Sequence, residues 1–224
     1  MWIKICANTN LDDAQLAAEL GADAVGFVFS PSARQVTPTQ VARITPHLPT
    51  RVERVGVFPA LAAEEIAQVA QAGLNAVQLH GGFDQALVRQ LHGIFGGRVK
   101  LIQTLPWQID DNGADAEVAR QLKAIAADGL VDRVLIDSKV GSATGGTGVS
   151  FDWNAARGTL AEAANGLKLI VAGGLRQDNV AEAIRRLDPW GVDVASGVEA
   201  EPGRKSREKL SAFIRAARGQ EKNP

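Results

Sequence analysis

Two residues end apolar runs in a way that could move protons on a substrate. Cys6 closes Trp2-Ile3-Lys4-Ile5, and Asp137 closes Val134-Leu135-Ile136. A thiol and a carboxyl held against one substrate in opposite protonation states make a general base and a general acid. Each has a plainer reading. A lone cysteine in a strand is commonly a small buried hydrophobe, and an aspartate after an apolar run must face a cap, an ion pair or a functional cavity. Asp193 closes Trp190-Gly191-Val192 in the same manner, where its plain role is to hold the adjoining loop by hydrogen bonds. Cys6 is the only cysteine, so no intrachain disulfide can form, and one thiol with three scattered histidines gives no metal-ligand spacing.

A second chemistry is written in glycine. Ala172-Gly173-Gly174-Leu175 and Ala195-Ser196-Gly197-Val198-Glu199 each follow an apolar run, and either alone is a tight turn. Together they suit a phosphate cradle, in which backbone N–H groups approach the oxygens and a short helix points its N-terminus at the charge. A third stretch, Gly141-Ser142-Ala143-Thr144-Gly145-Gly146-Thr147-Gly148, has Thr147 where a nucleotide-binding P-loop needs lysine, and it opens no dinucleotide fingerprint. It reads as a lid across residues 139–150 or as a solvated surface loop. No nucleotide, nicotinamide or other cofactor is implied.

The elements that must position these residues alternate eight times along the chain. Short runs rich in Val, Ile, Leu and Phe fall at 2–6, 24–29, 53–58, 76–80, 99–104, 133–137, 168–172 and 192–195. Amphipathic segments predict helices at 11–20, 38–48, 61–72, 83–94, 114–127, 154–164, 177–187 and 205–217. Gly21 and Gly73 follow the first and third helices, and Asp12 or Thr37-Pro38 stand at helix starts. Runs such as Ala24-Val25-Gly26-Phe27-Val28-Phe29 lack polar alternation, so both sheet faces are covered, as in parallel α/β folds. An open doubly wound sheet is the alternative, but it would leave two edge strands, and the eight runs are comparably apolar. The expected fold is therefore one (β/α)8 TIM barrel spanning residues 1–224.

In such a barrel the functional groups sit at strand C-termini and in the loops that follow. Those positions hold Cys6 and Asn8, Ser30 through Arg34, Phe58, His80, Gln103, Asp137, Gly173-Gly174, and Asp193 with Ser196-Gly197. Eight strands about 4.8 Å apart and tilted by about 36° close into a ring of roughly 7 to 8 Å radius. Strands one and six are three steps apart on it, so their reactive atoms are expected roughly 8 Å apart. They cannot touch, yet both can reach one sugar, as an acid and a base on opposite flanks would.

Composition narrows the partners. The 224 residues are 46% hydrophobic and 22% charged, with a formal net charge of -1 and the two signs interspersed, so no basic face for nucleic acid emerges. No run is long and apolar enough for a membrane span, and the N-terminus has no charged and hydrophobic leader. A reducing, cytoplasmic setting and a small phosphorylated partner are expected, with the chain as monomer or homodimer. The basic stretch from Arg204, with Lys205, Arg207 and Lys209, reads as a solvated last helix without function.

Several of these segments together resemble one enzyme family. They are Lys4-Ile5-Cys6; Gly21-Ala22-Asp23-Ala24-Val25-Gly26-Phe27-Val28-Phe29 with Ser30 and Arg34; Val55-Gly56-Val57-Phe58; Val77-Gln78-Leu79-His80-Gly81; and Leu135-Ile136-Asp137-Ser138 before Gly145-Gly146-Thr147-Gly148 and Phe151-Asp152-Trp153. Ala172-Gly173-Gly174-Leu175 and Gly191 through Glu199, with Pro202-Gly203, complete the set. In this order, over nearly the whole chain, it is similar to the phosphoribosylanthranilate isomerases of tryptophan biosynthesis. The resemblance implies a cofactor-independent Amadori rearrangement with Asp137 as general acid and Cys6 as general base. It also implies Arg34 as partner of the anthranilate carboxylate, His80 as a pocket-lining residue and Asp193 as a secondary site residue. For that chemistry the site should lower the thiol pKa and raise the carboxyl pKa toward neutrality. Two positions depart from the family pattern: Ala7 replaces a glycine after the cysteine, and Ala33 replaces a proline before the arginine. Two alternatives stand beside this reading. The histidine-pathway aminoaldose isomerases resemble a two-aspartate design without the strand-one cysteine, and a non-catalytic phosphate-ligand barrel would not need both Cys6 and Asp137.

Overall fold

The computed structural model describes residues 1–109, 113–139, 152–164 and 166–219. Eight parallel strands close into a barrel in the order β1 to β8. They are Trp2–Ile5, Ala24–Val28, Glu53–Phe58, Ala76–Leu79, Lys100–Gln108, Arg133–Lys139, Lys168–Val171 and Gly191–Val194. Helices α1 to α8 span Leu11–Glu19, Pro38–Ile44, Ala63–Ala70, Gln85–Phe95, Ala114–Asp128, Trp153–Ala163, Val180–Leu187 and Arg207–Arg218, each following its strand. The first and last strands pair directly, Lys4 opposite Asp193, so the sheet has no edge. Among the described residues no helix is long and apolar enough to cross a membrane. Residues 140–151, where the lid expectation falls, lie outside the described residues.

Strand alternation sorts side chains into two cores. Ile3, Ile5, Val25, Phe27, Val134, Ile136, Val192 and Val194 pack outward against the helices. Trp2, Ala24, Val55, Ala76, Ile102, Leu135 and Ile170 fill the barrel interior, and Ala172 extends this cluster up to the cavity at the C-terminal mouth. Below them Trp190 stacks on Trp2 with ring centroids 5.3 Å apart. The Arg133 guanidinium lies 4.9 and 4.7 Å from the two ring centroids and donates to Glu53 at 2.7 Å. The N-terminal end of the barrel is closed by rings and an ion pair, which leaves the opposite mouth for chemistry.

Two residues further along five of the strands the interior turns polar. Lys4 follows Trp2, Gln78 follows Ala76, Thr104 follows Ile102, Asp137 follows Leu135 and Asp193 follows Gly191. One more step of two brings Cys6 and His80 to the mouth. The apolar floor, polar middle and reactive rim are thus one periodicity read upward.

Most boundaries agree with the periodic reading, and the differences have local causes. Thr37 caps α2 with a reciprocal Gln40 contact, but α1 is capped by Asn10, which accepts from the Asp13 N–H, rather than by Asp12. Strand β5 runs on through Pro106 to Gln108 instead of stopping at Thr104, because β6 pairs with it along that whole length. The stretch from Arg204 is not a solvated helix. Arg204 and Lys205 pair with Glu201 and Glu199 as an antiparallel hairpin, β9 (Glu199–Glu201) and β10 (Arg204–Lys205), and α8 starts only after Ser206.

Candidate active site

One cavity opens at the C-terminal mouth of the barrel, with a volume of about 1000 Å³ that includes space open to solvent. Cys6, Asp137, Arg34, His80, Asp193, Gly173, Gly174, Ser196 and Gly197 all line it, so the residues that the resemblance implies and the two glycine loops meet there, whereas Asn8 is buried and donates to the carbonyls of Ile5 and Gly26. Phe58 and Gln103 do not line the cavity either. Phe58 turns outward and stacks on Phe29 at 4.9 Å, and the Gln103 amide donates to the carbonyls of Gly81 and Thr104. Gln78, one alternation step away, lines the cavity instead and donates to the Thr104 hydroxyl at 3.0 Å.

The two glycine loops are packed more tightly than a turn requires. Gly173 has φ 84°, and a Cβ there would overlap the Ser138 hydroxyl. A Cβ on Gly197 would overlap the Leu175 carbonyl, which locks the two loops against each other. Ser196–Val198 forms one turn of 3-10 helix at that junction. Gly197→Ala is expected to cost about 2 kcal/mol or more, a drop of roughly 4 to 8 °C in Tm by thermal unfolding. An unchanged Tm would show that the Leu175 carbonyl is free to retreat.

The sequence matches the family profile of N-(5'-phosphoribosyl)anthranilate isomerase over residues 3–216. This chain belongs to that isomerase family. It is 39% identical over 218 residues to the N-(5'-phosphoribosyl)anthranilate isomerase of Pelobacter propionicus, covering 96% of this chain and 95% of the relative. Its fold matches the phosphoribosyl anthranilate isomerase structure from Thermotoga maritima with a TM-score of 0.83 at 37% identity, over 98% of this chain and 99% of the other. A phosphoribosyl anthranilate isomerase structure in complex with reduced 1-(o-carboxyphenylamino)-1-deoxyribulose 5-phosphate matches with a TM-score of 0.80, again at 37% identity over 98% and 99% of the chains.

Electrostatics divide this isomerase-family site into two flanks. Burial, with the Asp193 charge adding to it and Lys4 opposing, lifts the Asp137 carboxyl to about 7, in the direction its proposed chemistry needs. The Cys6 thiol departs from the sequence expectation. Burial pushes its pKa up rather than down, while the Lys4 ammonium pulls the other way. His80 is brought down to about 4 by burial and by Lys4, so its ring is neutral at pH 7 and lies 3.3 Å from the Gln78 amide.

Arg34 is not a loose surface residue. Its Nε and Nη2 donate to Glu199 at 2.7 to 3.0 Å, and Glu199 also accepts from Lys205 Nζ at 3.2 Å. The Lys205 side chain is fully buried and donates as well to the Ala195 carbonyl at the start of the strand-eight loop. Burial works to raise the Glu199 pKa, but the Arg34 fork and the Lys205 charge hold it below the ordinary value. Sequence reasoning missed Lys4, Gln78 and Lys205. Lys4 and Gln78 carried a usable signal, the step of two from interior neighbours, whereas Lys205 is buried only because β9 and β10 fold back under the loop. Ala7 adopts φ 61°, a left-handed conformation that costs a non-glycine residue about 1 kcal/mol or more and that a glycine would adopt freely. Among the described residues no cluster of ligating side chains could hold a metal ion.

Proposed function

We propose that this chain converts N-(5'-phosphoribosyl)anthranilate to 1-(2-carboxyphenylamino)-1-deoxyribulose 5-phosphate, an aldose-to-ketose isomerisation in tryptophan biosynthesis, on a single (β/α)8 domain. The observation that carries this reading is that Cys6 and Asp137 share one cavity with two interlocked glycine loops and an anchored arginine, in a chain of this family.

Protonated Asp137 gives its proton to the ribose ring oxygen. The C1–O bond breaks, its electrons stay on oxygen, and the nitrogen lone pair closes a C1–N double bond. The Cys6 thiolate then takes the C2 proton; the C–H electrons form a C1–C2 double bond, and the C–N π electrons return to nitrogen. The resulting enolamine tautomerises to the C2 ketone with a proton placed on C1. The carboxyl and the thiol must each start in the form that neither holds free in water at neutral pH, which is why both need tuned surroundings.

Binding follows from the same walls. Backbone N–H groups around Gly173, Gly174, Ser196 and Gly197 would receive the phosphate. Glu199 occupies the Nε–Nη2 edge of Arg34, so the Nη1 end of the fork is left to meet the anthranilate carboxylate. Asp193 and neutral His80 complete the sugar pocket. The small phosphorylated substrate is the only partner the reaction needs, with no nucleic acid, membrane or cofactor. We place the chain in the cytoplasm as monomer or homodimer; the relative from Thermotoga maritima is dimeric.

Purified protein with no added metal or nucleotide should remove the anthranilate-type fluorescence of phosphoribosylanthranilate. It should also restore growth of a tryptophan auxotroph that lacks this isomerase. Turnover no faster than the spontaneous background would remove the proposal.

A further inference from the structure

Lys4 is among the largest fully buried side chains of the described residues, and the only charged one in that group. It does not line the cavity but lies beneath its floor-side neighbours Cys6 and Asp193, which do. A buried ammonium is costly unless paired, and an apolar filler like those of the layer below would avoid the cost altogether. Among the described residues its ion-pair partner is Asp193, whose Oδ1 accepts from Nζ at 2.9 Å. The same ammonium lies beside the proposed base. The Cys6 Sγ and the Lys4 Cε both crowd the space over Gly26, at 2.8 and 3.0 Å from where its Cβ would stand, so the missing side chain of Gly26 lets them sit side by side.

We propose that Lys4 is the positioning residue of the reaction: its ammonium, fixed by Asp193, is the standing counter-charge of the Cys6 thiolate. This rests on the reading of Cys6 as proton acceptor. The ionisable groups acting on the sulfur are Lys4 from β1, Asp193 from β8, Lys205 from β10 and Arg34 from the loop after β2. Asp137 from β6 and neutral His80 after β4 interact with the Lys4–Asp193 pair. Lys205 and Arg34 are already committed to Glu199, which leaves Lys4 as the cation that serves the thiol. Burial alone would keep Cys6 protonated, and Lys4 is the largest influence opposing it. Asp193 acts with two signs, since it holds Lys4 in place but its own charge disfavours a thiolate.

Because Cys6 is the chain's only cysteine, iodoacetamide reads its ionisation directly. The pH midpoint of alkylation carries the comparison, since it does not depend on how freely the reagent enters. Lys4→Met should move the midpoint upward by about one unit or more, which is about tenfold less thiolate at neutrality. Asp193→Asn should move it downward. A pair that only supports the fold would shift neither midpoint, or both in one direction. With phosphoribosylanthranilate, Lys4→Met should lower kcat by the same factor as its thiolate fraction and leave KM unchanged. If Lys4→Met does not fold, the double variant Lys4→Met/Asp193→Asn removes both charges and should fold, with a midpoint above that of Asp193→Asn alone. A midpoint unmoved by the loss of Lys4, in either background, overturns the proposal. Since alkylation needs no substrate, an unmoved midpoint with normal turnover removes the role of Lys4 and leaves the isomerase reading standing. A shifted midpoint without turnover does the reverse.

Discussion

Asp137→Asn is expected to lower kcat by about two to four orders of magnitude, the usual contribution of a general acid. Asparagine keeps the size and much of the hydrogen bonding of the carboxyl but has no proton to give at neutral pH. The fold should therefore persist, and circular dichroism and Tm should stay close to those of the parent. The pH profile of kcat/KM separates loss of the acid from mere misplacement. Asp137 titrates at about 7 in the free site, whereas the buried thiol titrates above its ordinary value. The reacting form, with Asp137 protonated and Cys6 ionised, is then a minority at every pH. Below 7 the parent's kcat/KM rises with pH because thiolate accumulates while Asp137 keeps its proton. Above 7 the two changes cancel, and the profile levels until the thiol itself titrates. In Asp137→Asn the break near 7 should vanish and the residual rate should go on rising with pH. The substrate's phosphate adds a break near about 6 that both proteins retain. A variant with parent-like rates, or a weakened one whose break at 7 survives, would take the acid role away from Asp137.

The positions that were legible in the sequence are those fixed by one local rule. A residue that ends an apolar run in a closed barrel points at the mouth if it is in step with the interior, and Cys6, His80, Asp137 and Asp193 all obey this. Phe58 and Gln103 fail it by one residue, which turns them to the helix side of the sheet or into local hydrogen bonds with the backbone. Applying the alternation strictly from Trp2 would have put Lys4 inside the barrel and named it as a buried charge before any coordinates. Lys205 has no such signal. Its burial depends on a short hairpin whose register against Glu199 is a tertiary fact, and a basic stretch seen alone reads as solvated.

The protonation states were the least legible part, because they depend on depth rather than on residue type. The chemistry that the resemblance implies calls for a thiol lowered toward neutrality, which a neighbouring cation can provide. The cation is present, but the sulfur sits under the rim with little exposed surface, and burial outweighs it. The same burial that hinders the thiolate helps Asp137, whose neutral form is the useful one. The same depth of burial thus favours the proposed acid and works against the proposed base.

Cys6→Ala is expected to lower kcat by about two to four orders of magnitude with KM little changed, because the phosphate loops, Arg34 and Asp137 remain to bind and open the sugar. Cys6→Ser is the sharper variant. Its hydroxyl nearly matches the thiol in size, so packing beside Gly26 is kept, but serine does not ionise in any accessible range and should be almost as slow as alanine. Rapid-quench measurements should show the consequence of splitting the two steps: ring opening persists in Cys6→Ala while exchange of the C2 proton with solvent is lost. Asp137→Asn should lose both, since the C2 proton becomes acidic only after the imine forms. Solvent exchange at C2 in Cys6→Ala at a rate near the parent's would assign the proton to some other base in the cavity, with Asp193 the first to test.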